Sequence, residues 1–238
     1  MKKVSFIAAL VAASLVFCAC NYSNKDLLKA RIENMEKYSG NPGSAENIEE
    51  GIKQYDGEAQ ELIKKYDKIG IWYKILGTRY MDKKMWDKAL DAFTNASKIY
   101  PENPIIYYYA AVCAGYMANN PLVKASEKME YLKLSEQCYI ASNKIDDRNT
   151  GVLYGLGVLY TNFLDEPEKA VPYFEKLLSI EKRHYDGMFR LGEAYYLIGN
   201  YSKAIEQYDN IIDNCKSDDM VKLAKQNKKI CLDIQFED

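Results

Sequence analysis

The sequence predicts an all-α protein, a solenoid of about four tandem helix-turn-helix repeats with a packing helix at each end. Apolar side chains recur at spacings of three and four along most of the 238 residues, which is the period of an amphipathic helix. A pattern of large and small residues returns at intervals near 34 residues, which is the signature of a repeat architecture. Polar turn residues separate the helical runs.

The composition is that of a globular chain without a strong electrostatic signature. Hydrophobic residues make up 48% and charged residues 28%, and the formal net charge is -2. A chain this apolar can bury a core, and it offers no basic surface for nucleic acid. With one histidine, His184, a histidine-rich metal site or a histidine-based triad has at most one member. We expect His184 to be an exposed polar residue.

The N-terminus has the features of an export signal. It reads MKKVSFIAALVAASLVFCAC, in which two lysines precede an apolar run that is too short to span a bilayer. Its end resembles the lipobox of bacterial lipoproteins, where a small residue precedes a cysteine that is acylated and becomes the first mature residue. This resemblance implies a signal peptide at 1–19 and lipidation of Cys20. An ordinary cleaved signal or an uncleaved anchor is the alternative.

Acylation of Cys20 implies an exported protein, lipid-anchored to a bacterial membrane and facing the periplasm or the cell surface. Several acyl chains make such an anchor stable, because each buried methylene contributes about 0.8 kcal/mol. Residues 20–44 would then be a lipid-anchored tail. This tail has a short helical pattern at 24–37 and a flexible break at 38–43, YSGNPG.

Residues 45–69 are predicted to form an N-terminal packing helix, with Ser44 as its N-cap. Its apolar side chains fall on one helical stripe, which consists of Ile48, Ile52, Tyr55, Ala59, Leu62, Tyr66 and Ile69.

The first repeat, 70–103, has the most regular spacing. Its key positions are Tyr73, Leu76, Gly77, Tyr80, Ala89, Phe93, Ala96 and Pro101. This spacing resembles the tetratricopeptide repeat at all eight of its signature positions. The small residues let two helices approach closely, and Pro101 ends the second helix because it lacks an N–H.

Three further copies extend the resemblance to residues 70–218. Repeat 185–218 has the same offsets, with Gly199 and Asn200 at its turn, and repeat 150–184 carries one extra residue around Asp165. Repeat 104–149 is irregular, with about twelve additional residues near 119–131. These residues form either an enlarged loop suited to partner contacts or, over 125–134, an extension of the second helix.

Residues 219–238 are predicted to be a C-terminal capping helix, since the last repeat of an open stack otherwise exposes its apolar side. The pattern places Met220, Leu223, Ile230 and Ile234 inward and Lys222, Lys225, Lys228 and Lys229 outward. The whole layout resembles exported lipoproteins of bacteria such as spirochaetes.

The resemblance to the tetratricopeptide-repeat family implies a concave groove lined by the first helix of each repeat. Family ligand contacts come from defined positions of that helix, which correspond here to Lys74, Thr78, Asp82, Tyr108, Val112, Tyr116, Tyr154, Val158, Asn162, Phe189, Glu193 and Tyr196. This set is rich in tyrosine, which suits peptide or protein surfaces. The alternative is that some of these rings pack between helices.

The groove does not match the family members that grip acidic chaperone tails. Those proteins use a lysine and an asparagine in one repeat and basic residues in the next. Lys74 matches, but Thr78 replaces the asparagine, and Tyr108 and Val112 are not basic.

We expect no enzyme activity, no catalytic residues, no metal and no cofactor. Motifs for a nucleophile elbow, a zinc protease or a phosphate loop are absent from the sequence, and the pairs at 146–147 and 218–219 lie at predicted helix boundaries, where acids act as caps. Cys113 and Cys138 fall on neighbouring predicted helices. They are either small buried hydrophobic residues or, after export, a disulfide.

The sequence therefore favours a membrane-tethered scaffold that mediates protein-protein interaction in the bacterial cell envelope through an aromatic groove. One alternative is a structural subunit of an outer-membrane or pilus assembly complex. Another is a periplasmic partner of a solute transporter that binds a small apolar ligand. The partner is predicted to be a protein or peptide, and not nucleic acid.

Overall fold

A computed structural model describes residues 45–237, with side chains to residue 235. The predicted signal peptide, Cys20 and the tail at 20–44 lie outside these residues. Nine helices occupy the described part of the chain, which contains no strand. They are α1 Ala45–Asp82, α2 Trp86–Ile99, α3 Pro104–Ala118, α4 Ala125–Ile145, α5 Thr150–Asn162, α6 Pro167–Ile180, α7 Tyr185–Leu197, α8 Tyr201–Asn214 and α9 Asp218–Glu237. None of these helices is long and apolar enough to cross a membrane.

The described chain divides into two units, and the division falls within α1, between Tyr73 and Lys74. In the first unit, α1 passes residue 69 without a break, so the boundary between a packing helix and the first repeat, predicted at 69–70, is not a helix end. The large side chains of the predicted stripe, from Ile48 to Ile69, are 41 to 62% exposed. Within the described residues, the stripe does not act as a packing face.

In the second unit, each helix from α2 to α9 packs against the next along the chain. The first helices of successive repeats also meet, α3 with α5 and α5 with α7. This arrangement of stacked helix pairs is the predicted α-solenoid.

Close approach within three repeats depends on a glycine against an aromatic ring. A Cβ atom added at Gly77, Gly157 or Gly192 would lie less than 3.0 Å from the ring of Phe93, Phe174 or Tyr208, respectively. All three rings are buried. The irregular second repeat differs, because Ala111 takes the glycine position and the ring of Tyr139 lies instead against Gly155 of the next repeat.

The turns and the helix starts lie at the polar residues that separate the predicted helices. Lys84, Asp165 and Gly199 occupy equivalent turns and have φ angles of 55°, 55° and 76°, a left-handed conformation that reverses the chain between two helices. The N-caps accept from backbone N–H groups of the first helical turn. They are Asn103 of α3, Asn149 of α5, His184 of α7 and Asn200 of α8. The prediction that His184 is only an exposed polar residue is therefore wrong: it is half-buried, and its Nδ1 accepts from Gly187 N–H at 2.9 Å.

The additional residues of the second repeat mainly lengthen a helix. α4 begins at Ala125 and spans 21 residues, whereas the connection before it covers only 119–124. Of the two interpretations of the insertion, the structure therefore favours the extended second helix.

α9 packs inward with a different face from the one that the sequence predicted. The buried face is one residue further along the helix surface. Ala224 and Cys231 are buried, whereas Leu223 and Ile230 are each 47% exposed. Lys228, predicted to point outward into solvent, pairs with Asp209 of α8, with Nζ and Oδ1 2.5 Å apart. The prediction was wrong because side-chain size alone does not identify the contact face; small side chains let α9 approach α8 closely.

The possible disulfide between Cys113 and Cys138 is not formed. Both are buried free thiols, and burial raises the pKa of each to about 12. They act as small hydrophobic side chains, which was the other interpretation of the sequence.

Candidate functional site

A hollow of about 280 Å³ in the second unit contains part of the predicted groove. Thr161 and Leu197 contribute to its lining, together with six further residues: Asn162 from α5, Glu193 and Tyr196 from α7, Tyr208 from α8, and Asn227 and Ile230 from α9. Three of these six residues, Asn162, Glu193 and Tyr196, were assigned to the groove from the sequence. The remaining three come from helices that the family positions do not include.

The carboxylate that lines the hollow, that of Glu193, is paired. The carboxylate of Glu193 accepts from Arg190 Nη1 at 2.7 Å, and the Lys228 to Asp209 pair lies on the neighbouring α8 and α9. The groups left to meet a ligand are mainly neutral. The side-chain amides of Asn162 and Asn227 both donate and accept hydrogen bonds, and tyrosine hydroxyls do the same. Burial raises the pKa of Tyr208, so its hydroxyl stays protonated well above neutral pH.

Two of the predicted groove tyrosines pack between helices. Tyr154 lies edge-on to Phe174, with ring centroids 6.2 Å apart, and 5.4 Å from the ring of His184. Tyr108 lies 6.2 Å from the ring of Tyr139. Neither lines the hollow. Their rings stabilise the junctions between helices, which was the alternative interpretation of the tyrosine-rich set.

The other predicted groove residues are spread along the first helices. Tyr116 is 51% exposed and stacks on Trp86 with centroids 4.0 Å apart, whereas Phe189 lies against Tyr208. The hydroxyl of Thr78 donates to the carbonyl of Ile75 in its own helix. Lys74, Val112 and Val158 are half-buried and Asp82 is exposed. A ligand role for these residues and for the two packed tyrosines stays a prediction.

Sequence reasoning missed the contribution of α9. Ile230 was predicted to be a core residue, and Asn227 was not singled out. A helix that ends a stack has no successor, so the edge of its inner face borders the groove. No sequence signal marks this edge, because it depends on how α9 is rotated against α8.

No group of three or more histidine, cysteine, aspartate or glutamate side chains suited to a metal ion occurs among residues 45–237.

Comparison with known proteins supports the repeat assignment. Residues 164–219 match the tetratricopeptide-repeat family. A TPR repeat-containing protein of Borreliella burgdorferi strain B31 is 24% identical over 199 residues, which are 82% of this chain and 85% of that protein. A second TPR repeat-containing protein, from Methanocaldococcus jannaschii, is 25% identical over 75% of this chain, which spans only 29% of that relative.

Solved structures show the same architecture. The crystal structure of MamA matches with a TM-score of 0.56 and 18% identity, covering 70% of this chain and 88% of MamA. YrrB, described as a TPR protein with an unusual peptide-binding site, matches with a TM-score of 0.55 and 21% identity, covering 74% of this chain and 88% of YrrB. The fold is a tetratricopeptide-repeat solenoid.

Successive repeats of this tetratricopeptide-repeat solenoid are joined by hydrogen bonds from tyrosine hydroxyls. Tyr160 donates to Glu136 Oε1 at 2.7 Å, and Tyr195 donates to Glu175 Oε1 at 2.5 Å. In each case the glutamate belongs to the preceding repeat. A lysine lies over each ring, with Lys169 5.5 Å from the centroid of Tyr160 and Lys203 5.0 Å from that of Tyr195. The feature can be seen in the sequence: Lys169 follows Tyr160 by nine residues, and Lys203 follows Tyr195 by eight.

The Tyr195 to Glu175 contact predicts a pH-dependent stability. Burial, and then the hydrogen bond and negative charge of Glu175, raise the pKa of Tyr195 above its usual value of 10.0. Above pH 10 the unfolded chain releases this proton and the folded chain keeps it, so this tyrosine lowers stability as pH rises. We expect Tyr195→Phe to cost about 0.5–1.5 kcal/mol at pH 7 and less at pH 11. Urea unfolding at both pH values measures this; an equal cost at both would contradict it.

Proposed function

We propose that this tetratricopeptide-repeat solenoid is a non-enzymatic scaffold that binds an extended peptide segment of a partner protein at the hollow between α5, α7 and α9. The observation that carries this proposal is that neutral amide and hydroxyl groups meet at one hollow. They come from α5 and α7, each the first helix of a repeat, and from α9, the last helix of the stack. Asn162 and Asn227 contribute side-chain amides, and Tyr196 contributes a ring beside them.

The chemistry of the hollow favours a peptide over a wholly apolar ligand. A peptide backbone presents alternating N–H donors and C=O acceptors, and asparagine side chains can pair with both. The ring of Tyr196 and the aliphatic side chain of Ile230 supply apolar contact area for peptide side chains. Asn227 Nδ2 already donates to the Tyr208 hydroxyl at 3.5 Å, but an apolar ligand would cover the side-chain amide of Asn162 without offering it a partner, which costs free energy. The peptide-binding description of YrrB is in keeping with this interpretation, although the likeness to YrrB shows the fold alone.

The test is a selection from a random peptide library on the full chain, followed by affinity measurements on the peptides obtained. We expect Asn162→Ala with Asn227→Ala to weaken their binding about tenfold, because each lost hydrogen bond contributes about 0.5–1.5 kcal/mol. Asn210→Ala is the matched control, since Asn210 is exposed on α8 and does not line the hollow. Unchanged affinity in a folded double variant would overturn the assignment of the hollow.

We further propose that the scaffold is tethered to a bacterial membrane through acylated Cys20 and acts in the cell envelope. The support is the sequence around Ala19 and Cys20, which resembles a lipobox. Cys20→Ala should shift the protein from the detergent phase to the aqueous phase in a phase-partition experiment. Ser23→Ala, which leaves the lipobox intact, should leave partitioning unchanged. If Cys20→Ala partitions like the native sequence, acylation of Cys20 is not what holds the protein at the membrane.

A further inference from the structure

The exposed stripe of α1 has the spacing of a coiled-coil seam. Its intervals alternate between four and three residues, from Ile48 through Ala59 to Ile69. In heptad terms, positions d and a are occupied by Ile48, Ile52, Tyr55, Ala59, Leu62, Tyr66 and Ile69. Six of these side chains are 41 to 62% exposed. We propose that this seam pairs with the same seam of a second copy of the chain, as an antiparallel two-stranded coiled coil.

The helix around the seam is a poor helix by itself. Gly51 and Gly57 lie in its interior, and a Cβ atom at either would have no neighbour within 4 Å. Interior glycine disfavours a helix relative to alanine, and helices in proteins gain most of their stability from packing of an apolar face. Pairs at i,i+4, such as Glu61 with Lys65, contribute a few tenths of a kcal/mol each, and a partner packed along the stripe would supply the larger stabilisation.

Charge distribution sets the orientation of the two copies. Residues 45–58 carry five carboxylates and one lysine, whereas residues 59–69 carry three lysines and two carboxylates. A parallel pair would place the acidic halves side by side. An antiparallel pair places the acidic half of one copy against the basic half of the other, which is the favourable arrangement.

The seam also defines a register. When Ala59 of one copy faces Leu62 of the other, each a position faces a d position along the whole seam. In this register Glu58 of one copy faces Lys65 of the other at g positions, and the two-fold symmetry makes this pair occur twice. Both residues are exposed; within α1, Lys65 also pairs with Glu61 at 2.9 Å and Glu58 accepts from Gln54 at 3.1 Å, so the contact between copies adds to these local pairs.

A second copy fits the stripe better than the chain's own upstream segment does. Residues 24–37, which have a helical pattern, would give about 21 Å of helix, whereas the stripe from Ile48 to Ile69 extends about 33 Å. The upstream segment would leave the end of the stripe near Ile69 uncovered. In the register given above, the seam of a second copy covers the stripe from Ile52 to Ile69.

The test is the oligomeric state of the full chain in detergent micelles, measured by analytical ultracentrifugation. We expect a dimer. Glu58→Lys and Lys65→Glu should each raise the dissociation constant about tenfold, which corresponds to about 1.4 kcal/mol. A mixture of the two variants should regain the native affinity, because in an antiparallel pair the introduced lysine of one chain then meets the introduced glutamate of the other. Lys64→Glu, outside the seam and its flanks, is the matched control.

Several outcomes would overturn this proposal. A protein that is monomeric at all concentrations would do so. If hydrogen exchange along the stripe is slow in that monomer, residues 24–37 of the same chain cover the stripe. A dimer that is insensitive to both charge reversals would place the interface elsewhere. A dimer that disappears in Cys20→Ala would mean that shared micelles hold the copies together. Peptide binding at the hollow should be unchanged in Glu58→Lys, so the two proposals fail separately.

Discussion

Phe174→Ala should lower the free energy of unfolding by about 3–5 kcal/mol, since truncation of a buried aromatic ring leaves a cavity that the surroundings fill only partly. The ring is 0% exposed. It packs against Gly157 of α5 and edge-on to Tyr154, so its removal affects two helices of one repeat together. Urea unfolding followed by circular dichroism at 222 nm measures the loss.

Leu122→Ala is the control for this prediction. Leu122 is also a large apolar residue, but it is 90% exposed, and its truncation should change stability by less than about 0.5 kcal/mol. A loss below about 1 kcal/mol for Phe174→Ala would contradict the packing described for the third repeat.

Gly157→Ala should destabilise the protein by about 1–3 kcal/mol although it adds only a methyl group. Alanine is the better helix former, so helix propensity alone would predict stabilisation. The added Cβ would lie less than 3.0 Å from the ring of Phe174, and a buried ring cannot move without displacing its neighbours. Gly115→Ala separates the two effects, because its Cβ would meet only Ser135 Oγ at 3.7 Å. That variant should keep or slightly raise stability.

A second substitution tests the cause of the Gly157→Ala effect. Leucine at position 174 lacks the ring atoms that the new methyl group would approach. Phe174→Leu should therefore cost less in the Gly157→Ala background than in the native sequence, with a coupling of about 0.5–3 kcal/mol in a double-mutant cycle. Additive costs would show that the methyl group and the ring do not compete for space.

The two proposed binding surfaces use different chemistry. The hollow presents neutral amides, hydroxyls and two exposed aliphatic residues, Leu197 and Ile230, which is suited to a peptide. The α1 stripe presents a regular apolar seam with charged flanks, which is suited to a helix of matching length. A scaffold with both features could bind a partner segment while it is dimeric.

Apart from the length of α1 and the start of α4, local pattern alone was enough to predict the described helices and their pairing. Spacing of three and four residues defines a helical face wherever it occurs, and Gly77, Gly157 and Gly192 could be identified as close-approach positions because each precedes a large aromatic residue by 16 or 17 residues. The turns at Asp165 and Gly199 were equally local. Such features depend on a few neighbouring residues, so they can be inferred without knowledge of the rest of the chain.

Tertiary structure decided which of several suitable faces each helix buries. Ala224 and Leu223 are neighbours on α9, and only packing against α8 buries the smaller one and leaves the larger one exposed. The same rotation brings Asn227 and Ile230 to the hollow. Tyr154 and Tyr196 both lie on first helices at positions that the family uses for ligand contact, yet one packs between helices and the other lines the site. Periodicity defines a face on a helix, whereas the shapes of the neighbouring helices determine what that face meets.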